Sequence, residues 1–192
     1  VRAAYLALAL LIAGCGTSAR EVPRAFDPTY RGTELRRPAL TVWLETSPDF
    51  PARDRAELPG VYASILTEVF NAKAVSPIDL QIAGKDVERP AAIDRARSVG
   101  ADHAVLVRVA VSRGTREYCR GAGAPVSANA TVWVARAEVV RVQDGQARLV
   151  TSALEVSDVE PDCGRVRQHR RLSRDEVMSR SADTVVAAVL RP

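Results

Sequence analysis

Residues 86–113, DVERPAAIDRARSVGADHAVLVRVAVSR, contain a helix, its stop signal and a strand in direct succession. Pro90 stands near the helix start, where a missing backbone N–H costs nothing. Ala92, Ile93, Ala96 and Val99 recur on one side, and Gly100 supplies a left-handed cap. Beyond it, Val105, Val107, Val109 and Val111 occupy one face of a strand predicted over residues 101–113, with Leu106 and Ala110 on the other. A strand that is apolar on both faces belongs inside a sheet covered on both sides. A helix feeding such a strand is expected in an α/β sandwich.

The flanking sequence extends the same alternation. Leu40–Leu44 (LTVWL), bounded by Pro38 and the Ser47-Pro48 turn, predicts a strand. A helix is predicted from Pro59, with Val61, Ile65, Val69 and Tyr62, Leu66, Phe70 as two adjacent rows facing a core. Ile78, Leu80 and Ile82 alternate with Asp79 and Gln81, the pattern of a half-buried strand. Downstream, residues 131–142 and 148–156 flank Gln143-Asp144-Gly145-Gln146, and Asp-Gly between apolar runs is a hairpin signal. The apolar phase of the first run changes across Arg136 and Glu138, which leaves either a bulge or two mixed faces. Ser173-Arg174-Asp175-Glu176 is a capping box opening a last helix whose stripe is Met178, Ala182, Val185 and Val189. The expected order is β-α-β-α-β-β-β-α. Residues 39–192 then form one α/β domain, a two-layer or three-layer sandwich with a mixed sheet of about five strands and three helices.

The chain has 192 residues, 47% hydrophobic and 26% charged, which fits one folded domain and excludes a disordered or fibrous protein. Only two of its 27 basic residues are lysines (Lys73 and Lys85), so the net charge of +4 reflects arginine usage rather than a nucleic-acid surface. At the front, Arg2 precedes the uncharged run AAYLALALLIAG (3–14) and Cys15. As a helix that run is about 18 Å long, too short for a hydrocarbon core of about 30 Å, and it has the plan of a signal peptide over residues 1–14. Ile12-Ala13-Gly14-Cys15 resembles the lipobox of bacterial lipoproteins. The resemblance implies cleavage before Cys15, a diacylglyceryl group on its thiol, an acylated amino terminus and anchoring by palmitate-like chains. Gly16 rather than aspartate after the cysteine implies, by the same family pattern, the outer membrane with the domain facing the periplasm. Residues 16–38 are polar, rich in Pro, Gly and Arg, and without sustained periodicity, so 15–38 is expected to be a lipidated flexible tether.

With Cys15 acylated, Cys119 and Cys163 remain in a compartment where disulfides persist. Cys119 follows the third predicted strand and Cys163 the fifth. In an antiparallel meander both ends emerge at one edge of the sheet, so the two are expected to pair. Asp102 and His103 are neighbours, but consecutive strand residues point to opposite faces, and no catalytic pair is expected from them. No nucleophile elbow, zinc motif, phosphate loop or dinucleotide fingerprint occurs, so no catalytic residue, metal or cofactor is assigned. Arg165, Arg167, Arg170 and Arg171 form a basic stretch suited to an anionic partner such as lipid phosphate, peptidoglycan carboxylates or an acidic protein. Glu155, Asp158, Glu160 and Asp162 precede it as a solvated acidic edge.

The segment Ala91–Val109, with its Gly-Ala-Asp turn at 100–102, resembles the helix, turn and strand of envelope proteins related to the TolB N-terminal domain, the CsgG secretion lipoprotein and the LpoB activator of peptidoglycan synthases. It is also similar to lipoproteins of high-GC bacteria such as myxobacteria. The resemblance implies action through contact with another envelope protein or self-association, with no catalytic residues to carry over. The resulting expectation is a non-catalytic adapter or accessory subunit of an envelope complex, bound to no nucleic acid, its oligomeric state open. A lipid- or lipopolysaccharide-binding lipoprotein would require a large apolar cavity between helices and sheet. A periplasmic hydrolase would require convergent polar groups with shifted titration in a cleft.

Overall fold

The computed structural model describes residues 25–73, 79–83, 88–119, 125–161, 163 and 169–190. The signal segment, Cys15, Ile78, Asp162, Arg165, Arg167 and the loop at 121–124 lie outside the described residues. Strands β1 (Ala25–Phe26), β2 (Pro38–Thr46), β3 (Asp79–Ala83), β4 (His103–Tyr118), β5 (Val126–Arg141), β6 (Ala147–Val150) and β7 (Leu154–Ser157) form one sheet in the order β1-β6-β5-β4-β2-β3, with β7 also on β5. Helices α1 (Ala52–Lys73), α2 (Arg89–Ser98) and α3 (Arg174–Val189) pack against it. The sheet is mixed: β2 runs parallel to β3 and β4, and β4-β5-β6 is an antiparallel meander.

The two faces of β4 and β5 explain the layers. Val105, Val107, Val109 and Val111 on β4, with Trp133, Ala135, Ala137 and Val139 on β5, bury against Tyr62, Leu66 and Phe70 of α1 and Met178, Val185 and Val189 of α3. On the opposite face Ala104, Leu106 and Val140 meet Ala92, Ile93 and Ala96 of α2. Farther along that face, Ala128, Ala130 and Val132 lie under Val159 of a small hairpin, β8 (Val159–Pro161) with β9 (His169–Arg171). The phase change in β5 is therefore one of mixed faces. Arg136 and Glu138 fall on the stretch between these two covers, and the register shift of β5 comes later, against β6 at Val139/Val140.

Gly100 stands at φ +70° and stops α2, and Gly145 at φ +69° turns the β5-β6 hairpin. Ser173 Oγ accepts the Glu176 N–H while a Glu176 carboxylate oxygen accepts the Ser173 N–H, which completes the capping box of α3.

Four expectations are corrected. First, α1 begins at Ala52 rather than at Pro59, which lies inside the helix. The Arg55 N–H already closes a turn onto the Pro51 carbonyl (3.0 Å), so a first turn precedes the proline. The buried row is Leu58, Tyr62, Leu66 and Phe70, while Val61 is exposed. Second, the strand expected at 148–156 is broken into β6 and β7, because Thr151 turns its hydroxyl in to accept the Ala137 N–H (2.9 Å). Third, β8 and β9 form where only a connection was expected, through strands too short for any sequence period.

The fourth correction concerns residues 25–38, expected to be tether. β1 pairs antiparallel with β6, and Tyr30 and Leu35 are fully buried. The Tyr30 hydroxyl donates to the Val189 carbonyl (2.7 Å), and burial holds its proton well above the usual phenol range. Gly32 lies so close to the end of α3 that a Cβ there would sit 2.5 Å from Leu190 backbone atoms. Only Gly fits such an approach.

Candidate functional site

Two polar constructions stand about ten residues apart along β4. The first is a clasp holding the N-terminal segment. Arg148, on β6, is buried; its guanidinium pairs with Asp27, and its Nη2 donates to Glu34 at 2.9 and 3.1 Å and to Thr29 at 3.2 Å. Hydrogen bonds from the hydroxyl and N–H of Thr29, reinforced by Arg148, hold the Asp27 carboxyl below its ordinary range. Beside the clasp lies buried His103, its Nδ1 3.3 Å from Asp102 and its Nε2 3.9 Å from Glu34. Asp102 and His103 thus converge, contrary to the alternation argument. Asp102 precedes β4, so strand geometry does not govern it. Its carboxylate also accepts the N–H groups of Arg36 (3.0 Å) and Arg37 (3.1 Å), which ties it to the docked segment. Neither His103 nitrogen makes a hydrogen bond among the described residues. The cluster therefore serves as the seat of the N-terminal segment.

The second construction is a cleft about ten residues farther along β4, roughly 33 Å away by strand rise. It holds about 160 Å³ and is lined by Phe50, Leu58, Leu172 and Val177, with Trp133 on the sheet and Arg113, Arg174, Asp54 and Asp158 at the polar margin. It lies just past the carboxyl end of β2, over the stretch of β4 and β5 that runs on beyond the last β2 pairing at Thr46 and Val111. The first turns of α1 and α3 both reach it, and helix N-termini favour negative charge.

Trp133 is 1% exposed and stacks on Tyr62, ring centroids 5.5 Å apart. The Tyr62 phenol, pushed up to about 12 by burial, shares a hydrogen bond with Ser181 (3.0 Å). The Trp133 indole N–H has no acceptor among the described residues. The Arg113 guanidinium lies over the Phe50 ring at 4.4 Å from its centroid. Asp158 is already committed: one oxygen accepts the Thr131 N–H (2.7 Å) and the other pairs with Arg171 (3.1 Å). Arg174 stands 3.6 Å from Asp54.

The other sequence candidates fall as follows. Cys119 and Cys163 are joined in a disulfide with Cα atoms 5.2 Å apart. Arg170 pairs with Glu160 and Glu176, and Arg171 with Asp158 and the Asn129 carbonyl. These two arginines tie β9 to β8, β5 and α3, with Glu160 and Asp158 folded back beside them. Sequence reasoning missed the cleft, whose lining comes from five separated segments. The usable signal was Trp133, on the all-core face of β5.

Among the described residues no helix is long and apolar enough to cross a membrane. Fold and cleft together define a three-layer α/β domain with a small opening between the first turns of α1 and α3. No family model matches the chain, and no curated protein matches it. Among solved structures it is similar to the PelC dodecamer from Paraburkholderia phytofirmans (16% identity over 88% of this chain and 95% of that one, TM-score 0.46). Bacterial lipoproteins are also among its structural neighbours. Lipoprotein GNA1162 from Neisseria meningitidis is 13% identical over 79% of this chain and 95% of that one, TM-score 0.35. The LpoB C-terminal domain from Salmonella enterica is 16% identical over 69% and 86%, TM-score 0.28.

Proposed function

We propose that this chain is a lipid-anchored accessory protein of the cell envelope, held on the outer membrane through Cys15, facing the periplasm and acting by contact with an envelope protein or peptidoglycan rather than by catalysis. The observation that carries this reading is the Cys119–Cys163 disulfide, since such bonds persist in exported proteins and the lipobox-like sequence at Ile12–Cys15 independently implies export. The docked segment adds a length constraint. Because Ala25 and Phe26 pair with β6, only residues 16–24 separate Cys15 from the domain, a reach of at most about 30 Å when extended. Such a domain works close to its own membrane.

The test combines acyl labelling with crosslinking in intact cells. The wild-type chain is expected to take up labelled palmitate, fractionate with the outer membrane and crosslink to one envelope component, and Cys15→Ala is expected to lose all three. Labelling that persists in Cys15→Ala, or a wild-type chain found in the cytosol, overturns the proposal. Copurifying lipid without any crosslinked component would favour a lipid-carrying role instead.

A further inference from the structure

We infer that the cleft between the first turns of α1 and α3 is a docking pocket for one leucine- or phenylalanine-sized side chain of a partner polypeptide that carries a carboxylate beside it. The inference rests on the accessory-protein reading and deepens it by naming the chemistry of the partner. Size comes first. A volume of about 160 Å³ is close to that of an apolar cavity that holds benzene, and well below the roughly 300–1,000 Å³ of pockets that enclose larger ligands. An acyl chain does not fit; one side chain does. Phe50, Leu58, Leu172 and Val177 supply the apolar wall for it.

Polarity comes second. Trp133 is buried and lines the cleft, yet its indole N–H has no acceptor among the described residues, and a buried donor without a partner costs free energy that an incoming carbonyl or carboxylate oxygen would recover. Charge comes third. Asp54 and Asp158 stand beside Arg174 and Arg171 respectively, whereas among the described residues Arg113 makes its contact with the Phe50 ring, which leaves its in-plane N–H donors for an anion. The positive ends of α1 and α3 add to that preference. An apolar anchor seated in a desolvated pocket with one charged contact at its rim is the ordinary form of an interface hot spot.

The test is a nitrogen-15 NMR titration of the purified full chain in detergent micelles, using N-acetyl-L-leucine and N-acetyl-L-phenylalanine against their neutral amides. Trp133→Phe assigns the indole signal, since Trp43 is the other tryptophan. The Trp133 N–H signal is expected to shift saturably with the carboxylates at millimolar concentration. Arg113→Gln is expected to weaken carboxylate binding by about fivefold, to the level of the amides, as loss of one of the stronger surface ion pairs would. An indole signal unmoved by either acid overturns the inference. So do equal shifts with acids and amides, or an Arg113→Gln protein that binds as well as wild type. The titration needs no membrane, so its failure leaves the anchor at Cys15 standing, and failure of the acyl label leaves the titration interpretable.

Discussion

Replacing Arg148 with methionine tests whether residues 25–37 belong to the folded domain. The Arg148 side chain is 7% exposed, and the substitution keeps most of its apolar stem while removing every bond to Asp27, Thr29 and Glu34. Loss of one partner from a fully buried ion pair costs about 3–5 kcal/mol. Glu34 retains 30% exposure and Asp27 keeps access to water, which places the expected loss at the lower end, about 3 kcal/mol. For a domain of this size that lowers Tm by about 6–12 °C. Urea unfolding measures the loss, and limited trypsin digestion at Arg31, Arg36 and Arg37 shows whether the segment detaches first. Adding Glu34→Gln and Asp27→Asn to the variant is expected to recover more than half of the loss, because the stranded charges are then gone. A loss under about 1 kcal/mol, or a triple variant no more stable than the single one, refutes the clasp as the holding device.

Reduction, or Cys119→Ser with Cys163→Ser, is expected to cost about 4 kcal/mol from the 44-residue separation, measured by urea unfolding; native thiols that alkylate without reduction contradict the pairing. Gly32→Ala is expected to cost about 1–3 kcal/mol by thermal unfolding, because its Cβ meets the Leu190 backbone; an unchanged Tm contradicts that packing. Tyr62 keeps its proton to about pH 12 in the folded state, whereas an unfolded tyrosine releases it near 10. Above pH 10 the unfolded chain therefore binds fewer protons, so the stability contributed by Tyr62 is intact below pH 10 and lost as pH rises from 10 to about 12. Absorbance titration of wild type and Tyr62→Phe checks this, and a Tyr62 that ionises near pH 10 in still-folded protein contradicts it.

Local signals carried most of the architecture. Gly100, the Asp144-Gly145 turn and the Ser173–Glu176 capping box each act within a few residues, so their consequences are readable in one window of sequence. The two-faced character of β4 was equally plain from Val105, Leu106 and Val107. What escaped notice depends on distance along the chain. Asp27 and Glu34 meet an arginine 121 and 114 residues away, so the segment carrying them shows no period and reads as tether. Asp102 and His103 were separated by a rule for strands that applies only from His103 onward. The cleft draws Phe50, Arg113, Trp133 and Leu172 from four places, and nothing local marks them as neighbours. The ion pairs of Arg170 and Arg171 were hidden for the converse reason: sequence shows charge, while Glu160 and Asp158 come beside it only once β8 pairs with β9.

The central claim is acylation at Cys15 in an exported protein. Mass spectrometry of the amino-terminal peptide from protein purified out of membranes measures it directly. The expected result is a mature chain starting at Cys15 and carrying the mass of a diacylglyceryl thioether and an amide-linked acyl group. A peptide running unmodified through Gly14-Cys15-Gly16 would contradict it.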